Sequence, residues 1–123
     1  MARILLVDDE PDIRYITKRM LEKEGHEIIE ACDGEECLQK LESEKPDLIL
    51  LDVMMPGLKG WEVCRKIKAE EKTRSIPVVM FTVRTSEEDL EESRKCGAEA
   101  HINKPFEREE LLRVVNRVLS GRR

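Results

Sequence analysis

The chain has 123 residues, 40% hydrophobic and 40% charged, with 27 acidic against 22 basic residues and a formal net charge of -5. That is the length of one ordinary domain, 1–123, able to bury roughly two-thirds of its unfolded surface and leaving no room for a second. The acidic balance excludes an electrostatic footprint for nucleic acid. No apolar run approaches the roughly 20 residues that span a bilayer, and MARILLVDDE turns acidic too soon for a signal peptide, so a cytoplasmic protein is expected.

Along the chain, short β-rich apolar runs alternate with longer stretches of helical period, five times over. The first run, Arg3–Val7, precedes a stretch in which Ile13, Ile16, Met20 and Leu21 keep the 3.6-residue period, closed by Gly25 as a C′ residue. The second, Glu27–Ala31, carries charged positions. After it, Asp33 and Glu36 have the spacing with which a cap side chain and an acid three residues on satisfy the free N–H groups of a helix start. Runs 48–51 and 77–81 are again apolar, and between them Pro56 and Gly57 predict a turn and Trp61 opens a third helix. Ser86 with Asp89 repeats the capping spacing for a fourth. The fifth run, 99–102, is partly polar, and a last helix covers 107–119, with Leu111, Leu112, Val115 and Leu119 on one stripe before a fraying tail, 120–123.

Such alternation means a parallel sheet covered by helices, apolar runs at its centre and polar ones at its edges. With right-handed crossovers, the expected fold is α/β, a flavodoxin-like doubly wound (βα)5 sandwich with sheet order 2-1-3-4-5. Ligands then bind at the carboxyl ends of the strands, where the winding reverses between strands one and three. Four cysteines, Cys32, Cys37, Cys64 and Cys96, form no Cys-x-x-Cys pair and have only His26 and His101 to assist, so reduced and mostly buried thiols are expected. The high share of charge with few side-chain amides leans toward a thermophilic source, and the Cys and Met content leans against it.

The strand ends carry Asp8, Asp9 and Glu10, then Asp52, then Thr82, then Asn103, Lys104 and Pro105. Two carboxylates about 4 Å apart repel by about 4 kcal/mol at an effective dielectric of about 20, so a converging cluster must be partly protonated or hold a cation. All-oxygen ligation suits Mg²⁺ (or Mn²⁺).

The segments ILLVDDE, DLILLDVMMPGLKG, IPVVMFT and NKPF, spread over essentially the whole chain, resemble the four signature regions of response-regulator receiver domains of two-component signalling. A member of that family already exemplifies this sheet order, so agreement in topology is not independent. The resemblance implies Asp52 as phosphoacceptor, and Asp8 and Asp9 as a metal-binding acidic pair completed by Asp52 and the backbone carbonyl of Met54. It implies Thr82 as switch hydroxyl, Lys104 as phosphate contact and a cis Lys104–Pro105 bond. It further implies phosphoryl transfer from the histidine of a sensor histidine kinase or a phosphotransfer protein. The output is a changed helix 4/strand 5/helix 5 face, read by a partner or by a C-terminal effector domain. The domain then acts as a regulatory phosphoacceptor that catalyses only its own phosphorylation and dephosphorylation, touching neither nucleic acid nor membrane. Whether it stands alone or precedes an effector, and whether phosphorylation drives dimerisation, stays open.

Three departures from the family pattern matter. His101 stands where Tyr or Phe is usual, three before Lys104: either it has no special task, or it is the rotameric switch and makes the active face sensitive to pH. Val83 follows Thr82 where Ala is common. Met54 and Arg84 fall where the family tunes acyl-phosphate lifetime, so slow autodephosphorylation is expected, unless Arg84 faces solvent and does nothing. Tyr15 either flanks a kinase-docking patch or covers the core, Trp61 is packing or a partner contact, and Met20, Met54, Met55 and Met80 fill gaps.

Three rivals are weighed. An aspartate-nucleophile phosphatase needs a second Asp two residues after Asp52 as general acid, and Met54 stands there. A flavin site wants a hydroxyl- and Gly-rich loop after the first strand, where Asp8, Asp9 and Glu10 would repel its phosphate. Against a degenerate receiver that scaffolds unmodified stand the intact Asp8, Asp9, Asp52, Thr82 and Lys104.

Overall fold

A computed structural model describes residues 1–82 and 87–121, the side chain of Asp89 excepted. Strands and helices alternate as β1 (Arg3–Val7), α1 (Pro11–Glu22), β2 (Glu27–Ala31), α2 (Gly34–Ser43), β3 (Leu48–Asp52), α3 (Gly60–Ala69), β4 (Val78–Thr82), α4 (Glu87–Lys95), β5 (Ala100–Asn103) and α5 (Arg108–Ser120). All pairings are parallel, in the order β2-β1-β3-β4-β5. β3 and β4, apolar throughout but for their last residues, are buried at every position, whereas the outer β2 and β5 expose charged and polar residues. The register sets Val7 beside Leu51, Asp52 beside Phe81 and Thr82 beside Asn103, so the carboxyl ends of four strands finish at one level.

Strand side chains alternate between two cores. Leu5, Val7, Ile49, Leu51, Val78 and Met80 meet Cys37 of α2 and Val63, Cys64 and Ile67 of α3 on one face. Ile4, Leu6, Leu48, Leu50, Val79 and Phe81 meet Leu21 of α1 and Leu111, Val114 and Val115 of α5 on the other. Truncating any of the fully buried Leu or Ile side chains to Ala costs about 2–5 kcal/mol.

α1 starts with Pro11 and closes on Gly25 at φ +90°, where His26 N–H reaches the Leu21 carbonyl at 3.3 Å and Gly25 N–H the Glu22 carbonyl at 3.0 Å. Its buried stripe departs from expectation. Thr17 and Leu21 are buried, whereas Ile16 is 49% and Tyr15 58% exposed. Thr17 can take the inner position because its hydroxyl donates to the Ile13 carbonyl at 2.8 Å and is satisfied within the helix. Tyr15 therefore does not cover the core; Arg19 donates to its hydroxyl.

At α2, Asp33 accepts from Glu36 N–H at 2.8 Å as expected, but Glu36 reaches back to Cys32 N–H, one residue earlier than a regular capping box. The Ser86–Asp89 cap lies outside the described residues, as do Val83, Arg84 and the last two residues of the tail. α5 starts one residue later than expected, with Glu107 as its cap residue, and buries Val114 in place of a fully buried Leu112 or Leu119. Cys37, Cys64 and Cys96 are buried, Cys32 is exposed, and all four are free thiols. Met55 and Met80 are buried, but Met54, expected to fill a gap, is 40% exposed. Trp61 packs against the first core with the Arg65 guanidinium 5.1 Å from its ring centroid. Among the described residues, no helix is long and apolar enough to cross a membrane.

His26 Nδ1 accepts from Ala2 N–H at 3.1 Å, pinning the start of β1. Burial, helped by the nearby positive N-terminus, pushes its pKa below the ordinary histidine value. The folded chain thus binds this proton less readily than the unfolded one, so the contribution is complete above about pH 6.5 and is lost as pH falls below it. In denaturant titrations from about pH 7.5 to about pH 5, the stability advantage of wild type over His26→Asn should shrink. A pH-independent gap would contradict this assignment.

Candidate functional site

The carboxyl edge of the sheet gathers Asp8, Glu10, Asp52 and Lys104. Asp8, just past β1, is 1% exposed, and its carboxylate accepts from Glu10 N–H at 2.9 Å. Asp52, the last residue of β3, is 2% exposed and accepts weakly from Met54 N–H at 3.4 Å. Lys104 Nζ lies 2.8 Å from Asp8, 3.2 Å from Asp52 and 3.9 Å from Glu10. Carboxylate oxygens of Asp8, Glu10 and Asp52 fall within 4.8 Å of one another.

Packing explains how the lysine is aimed. Phe106 of the NKPF segment stacks on Phe81, centroids 5.3 Å apart, and Lys104 Nζ stands 5.6 Å from the Phe81 centroid. Lys104 N–H donates to the Thr82 carbonyl at 2.7 Å, and the Lys104–Pro105 bond is cis. Below Asp52, the Pro56–Gly57 turn returns the chain to α3, and Gly60 N–H donates to the Val53 carbonyl at 2.8 Å. A Cβ at Gly60 would stand 2.2 Å from the Asp52 carbonyl oxygen and 2.7 Å from Val53 Cα, so only glycine lets α3 approach this closely.

Burial, aided by the charge of Asp8 and opposed by Lys104, pushes Asp52 up to about 6. Burial alone would lower Lys104, but its bonds and charge contacts with Asp8 and Asp52 outweigh that and hold it above the ordinary lysine value. One ammonium among three carboxylates leaves the pocket negative. The donors are all hard oxygens, a set that fits a small divalent cation.

Of the residues singled out from the sequence, Asp8, Asp52 and Lys104 converge. Thr82, 6% exposed, is at the same edge, but its hydroxyl donates to Asn103 Oδ1 at 2.8 Å. Asp9 is half-buried and stands outside the cluster, where Glu10 is found instead. His101 is exposed on β5, its Nε2 3.2 Å from the Ser93 carbonyl of α4. The parts that sequence reasoning left unassigned are Glu10 as a member of the cluster, Asn103 as the partner of Thr82, Phe106 as the lysine's support and Gly60 as a close-approach position. The second glycine of GLKG was the only sequence signal for the last.

A doubly wound sheet thus carries a buried acidic pocket and a lysine at its switch point. The model of the response regulator receiver domain matches residues 4–116, and the chain belongs to that family of regulatory signalling domains. It is similar to the protein PilH of Pseudomonas aeruginosa, 40% identical over 121 residues that cover 98% of this chain and 100% of PilH. It is 42% identical over 117 residues to the phosphate regulon transcriptional regulatory protein PhoB of Escherichia coli, covering 95% of this chain but 51% of PhoB, so it spans about half of that relative. Among solved structures, the receiver domain of a sensor histidine kinase from Pseudomonas aeruginosa superposes with a TM-score of 0.91 at 31% identity, covering 98% of each chain; its active-site cleft coordinates a magnesium ion.

Gly60→Ala is expected to lower stability by about 1–3 kcal/mol through overpacking against the Asp52–Val53 backbone, measured by denaturant unfolding. Asp52→Asn should do the reverse. With a chelator present, it should raise stability by about 1–3 kcal/mol near pH 7.5, because the buried carboxylate has a folded pKa of about 6 against an ordinary value of 3.8. The cost it removes is complete above the folded pKa and vanishes as pH falls toward the ordinary one, so the gain should disappear near pH 4.

Proposed function

We propose that this chain is a phosphorylation-activated signalling switch that accepts a phosphoryl group on Asp52 from a sensor histidine kinase or phosphotransfer protein. The observation that carries this is the placement of the Asp52 carboxylate, buried and 3.2 Å from Lys104 Nζ beside Asp8. Asp52 is the nucleophile: its oxygen bonds to phosphorus as the phosphorus–nitrogen bond to the donor imidazole breaks. Asp8, Asp9 and Asp52, with the Met54 carbonyl, are the ligands the family pattern assigns to Mg²⁺ (or Mn²⁺), and Glu10 is placed to join them. When bound, the cation neutralises charge on the transferring group.

The remaining steps belong to side chains. Lys104 keeps its ammonium at the pocket and meets the phosphoryl oxygens, which add about -1.5 to -2 of charge there. Thr82 leaves Asn103 and turns its hydroxyl proton to a phosphoryl oxygen. His101 releases the Ser93 carbonyl as β5 readjusts, which alters the α4/β5/α5 face read by a partner or a linked effector domain. Met54, half in solvent, together with Val83 and Arg84 beyond Thr82, sets the lifetime of the acyl phosphate. Residues 1–123 act as one cytoplasmic receiver domain, without contact to nucleic acid or membrane.

The test is intact mass after incubation with acetyl phosphate, with and without Mg²⁺, on wild type and Asp52→Asn. A Mg²⁺-dependent gain of one phosphoryl group, absent from the variant, is the expected result. An equal gain in Asp52→Asn would move the acceptor elsewhere. No gain with acetyl phosphate, phosphoramidate or a phosphorylated histidine donor would turn the reading into that of an unmodified scaffold.

A further inference from the structure

Away from the acidic site, two buried thiols meet where α3 packs against the end of α4. Cys64 is fully buried in α3, and Cys96, the first residue past α4, is 3% exposed. The Cys64 thiol approaches the Cys96 carbonyl at 3.4 Å, and the Cys96 thiol donates to the Ser93 carbonyl at 3.1 Å. The Cys64 thiol thus lies against the backbone of Cys96 itself.

We propose that Cys64 and Cys96 are a modification site, a reversible disulfide formed by peroxide that ties α3 to the carboxyl end of α4. This inference is independent of the phosphoacceptor reading. The thiols are unequal. Cys96, just past the last turn of α4 and marginally less buried than Cys64, is the attacking sulfur, and hydrogen bonding with Cys64 and the Ala98 amide holds it below the ordinary thiol value; Cys64, within α3, is the resolving thiol. The other two cysteines are poorer nucleophiles: burial pushes Cys37 up to about 12, and Cys32, although exposed, is raised by Glu36.

The chemistry balances. The Cys96 thiolate attacks one peroxide oxygen, the O–O bond breaks, and Cys96 becomes a sulfenic acid as hydroxide leaves and is protonated to water. Cys64 sulfur then displaces the hydroxyl from Cys96 sulfur, its own proton completing a second water. Both sulfurs are oxidised and both peroxide oxygens reduced.

Access comes through α4. The helix EEDLEESRK offers only Leu90, half-buried, as an apolar anchor, and its inward Ser93 hydroxyl is buried with no hydrogen-bond partner among the described residues. An unpaired buried hydroxyl weakens the packing of this helix, which makes it a natural segment for local opening. Oxidation also removes the Cys96 donor from the Ser93 carbonyl, the atom that His101 touches from β5.

The experiment uses the full chain carrying Cys32→Ser, which removes the exposed thiol. The folded protein is treated with hydrogen peroxide, then denatured and alkylated, and intact mass and peptide maps are recorded. Free thiols should fall from three to one, with a peptide joining Cys64 to Cys96 that dithiothreitol separates. Cys96→Ser should abolish the link and leave Cys64 alkylated. Three alkylated thiols after treatment, a link through Cys37, or over-oxidised Cys96 without a link would each overturn the proposal. Finding the same joined peptide in unsubstituted protein keeps the result independent of how the variants fold.

Discussion

The site depends on one electrostatic constraint: two carboxylates, Asp8 and Asp52, are almost wholly removed from water with a single ammonium between them. Burying an ion costs several kcal/mol even after relaxation, and one lysine cannot fully offset two acids. The raised Asp52 is the visible trace of that imbalance. The rest of the molecule holds the unfavourable arrangement in place. β3 and β4 are buried along their whole length, the Phe81–Phe106 stack supports the residue beside the lysine, and Gly60 lets α3 close beneath Asp52. Stability supplied by the two apolar cores thus offsets the cost of holding charge at the sheet edge.

The same constraint makes the site responsive. Under the proposed phosphorylation the pocket would gain further negative charge, and Thr82 at the same edge carries a hydroxyl donor. Its hydroxyl has one proton, which in this structure goes to Asn103 across the β4–β5 pair. In the proposed switch that single proton has two competing acceptors, Asn103 and a phosphoryl oxygen, and phosphorylation biases the choice by its differential interaction with the two arrangements. From Asn103 the path is short: His101 lies two residues back on β5 and touches the Ser93 carbonyl of α4. Each link is one hydrogen bond of modest net strength, so the change does not require the cores to repack.

How much of this could be read from residues follows from what kind of force decides each feature. Strand positions were legible because burial on both faces forces nearly continuous apolar runs, and the sheet order followed from crossover handedness and the polarity of β2 and β5. Asp52 was legible because a charged residue closing such a run has to lie at the strand end, and Lys104 because the NKPF segment follows the last strand run. Where local alternatives compete, periodicity failed. Thr17 displaced Ile16 from the α1 core face because a threonine can satisfy its own hydroxyl in a helix. Asp9 and Glu10 are adjacent acids, and only the turn of the chain after β1, with Glu10 N–H on the Asp8 carboxylate, sets which one joins the cluster. The Thr82–Asn103 bond and the closeness of Gly60 to Asp52 are long-range facts that need β5 or α3 already in place. The resemblance to receiver domains supplied roles at the strand ends, but it was silent about Cys64 and Cys96, which lie in no signature segment.

α4 carries little apolar anchoring of its own. In the proposed switch it shifts as a hydroxyl and a ring change partners, which a wide, well-packed apolar face would resist. α4 has one half-buried leucine, a buried serine hydroxyl with no partner among the described residues and an ion pair from Glu92 to Arg65 of α3. Such sparse anchoring suits the proposed switch, in which hydrogen bonds shift the populations of two arrangements. The same sparse anchoring is the route of access proposed for the Cys96 thiol. The proposed responses to phosphate and to oxidant thus rest on one feature of the packing.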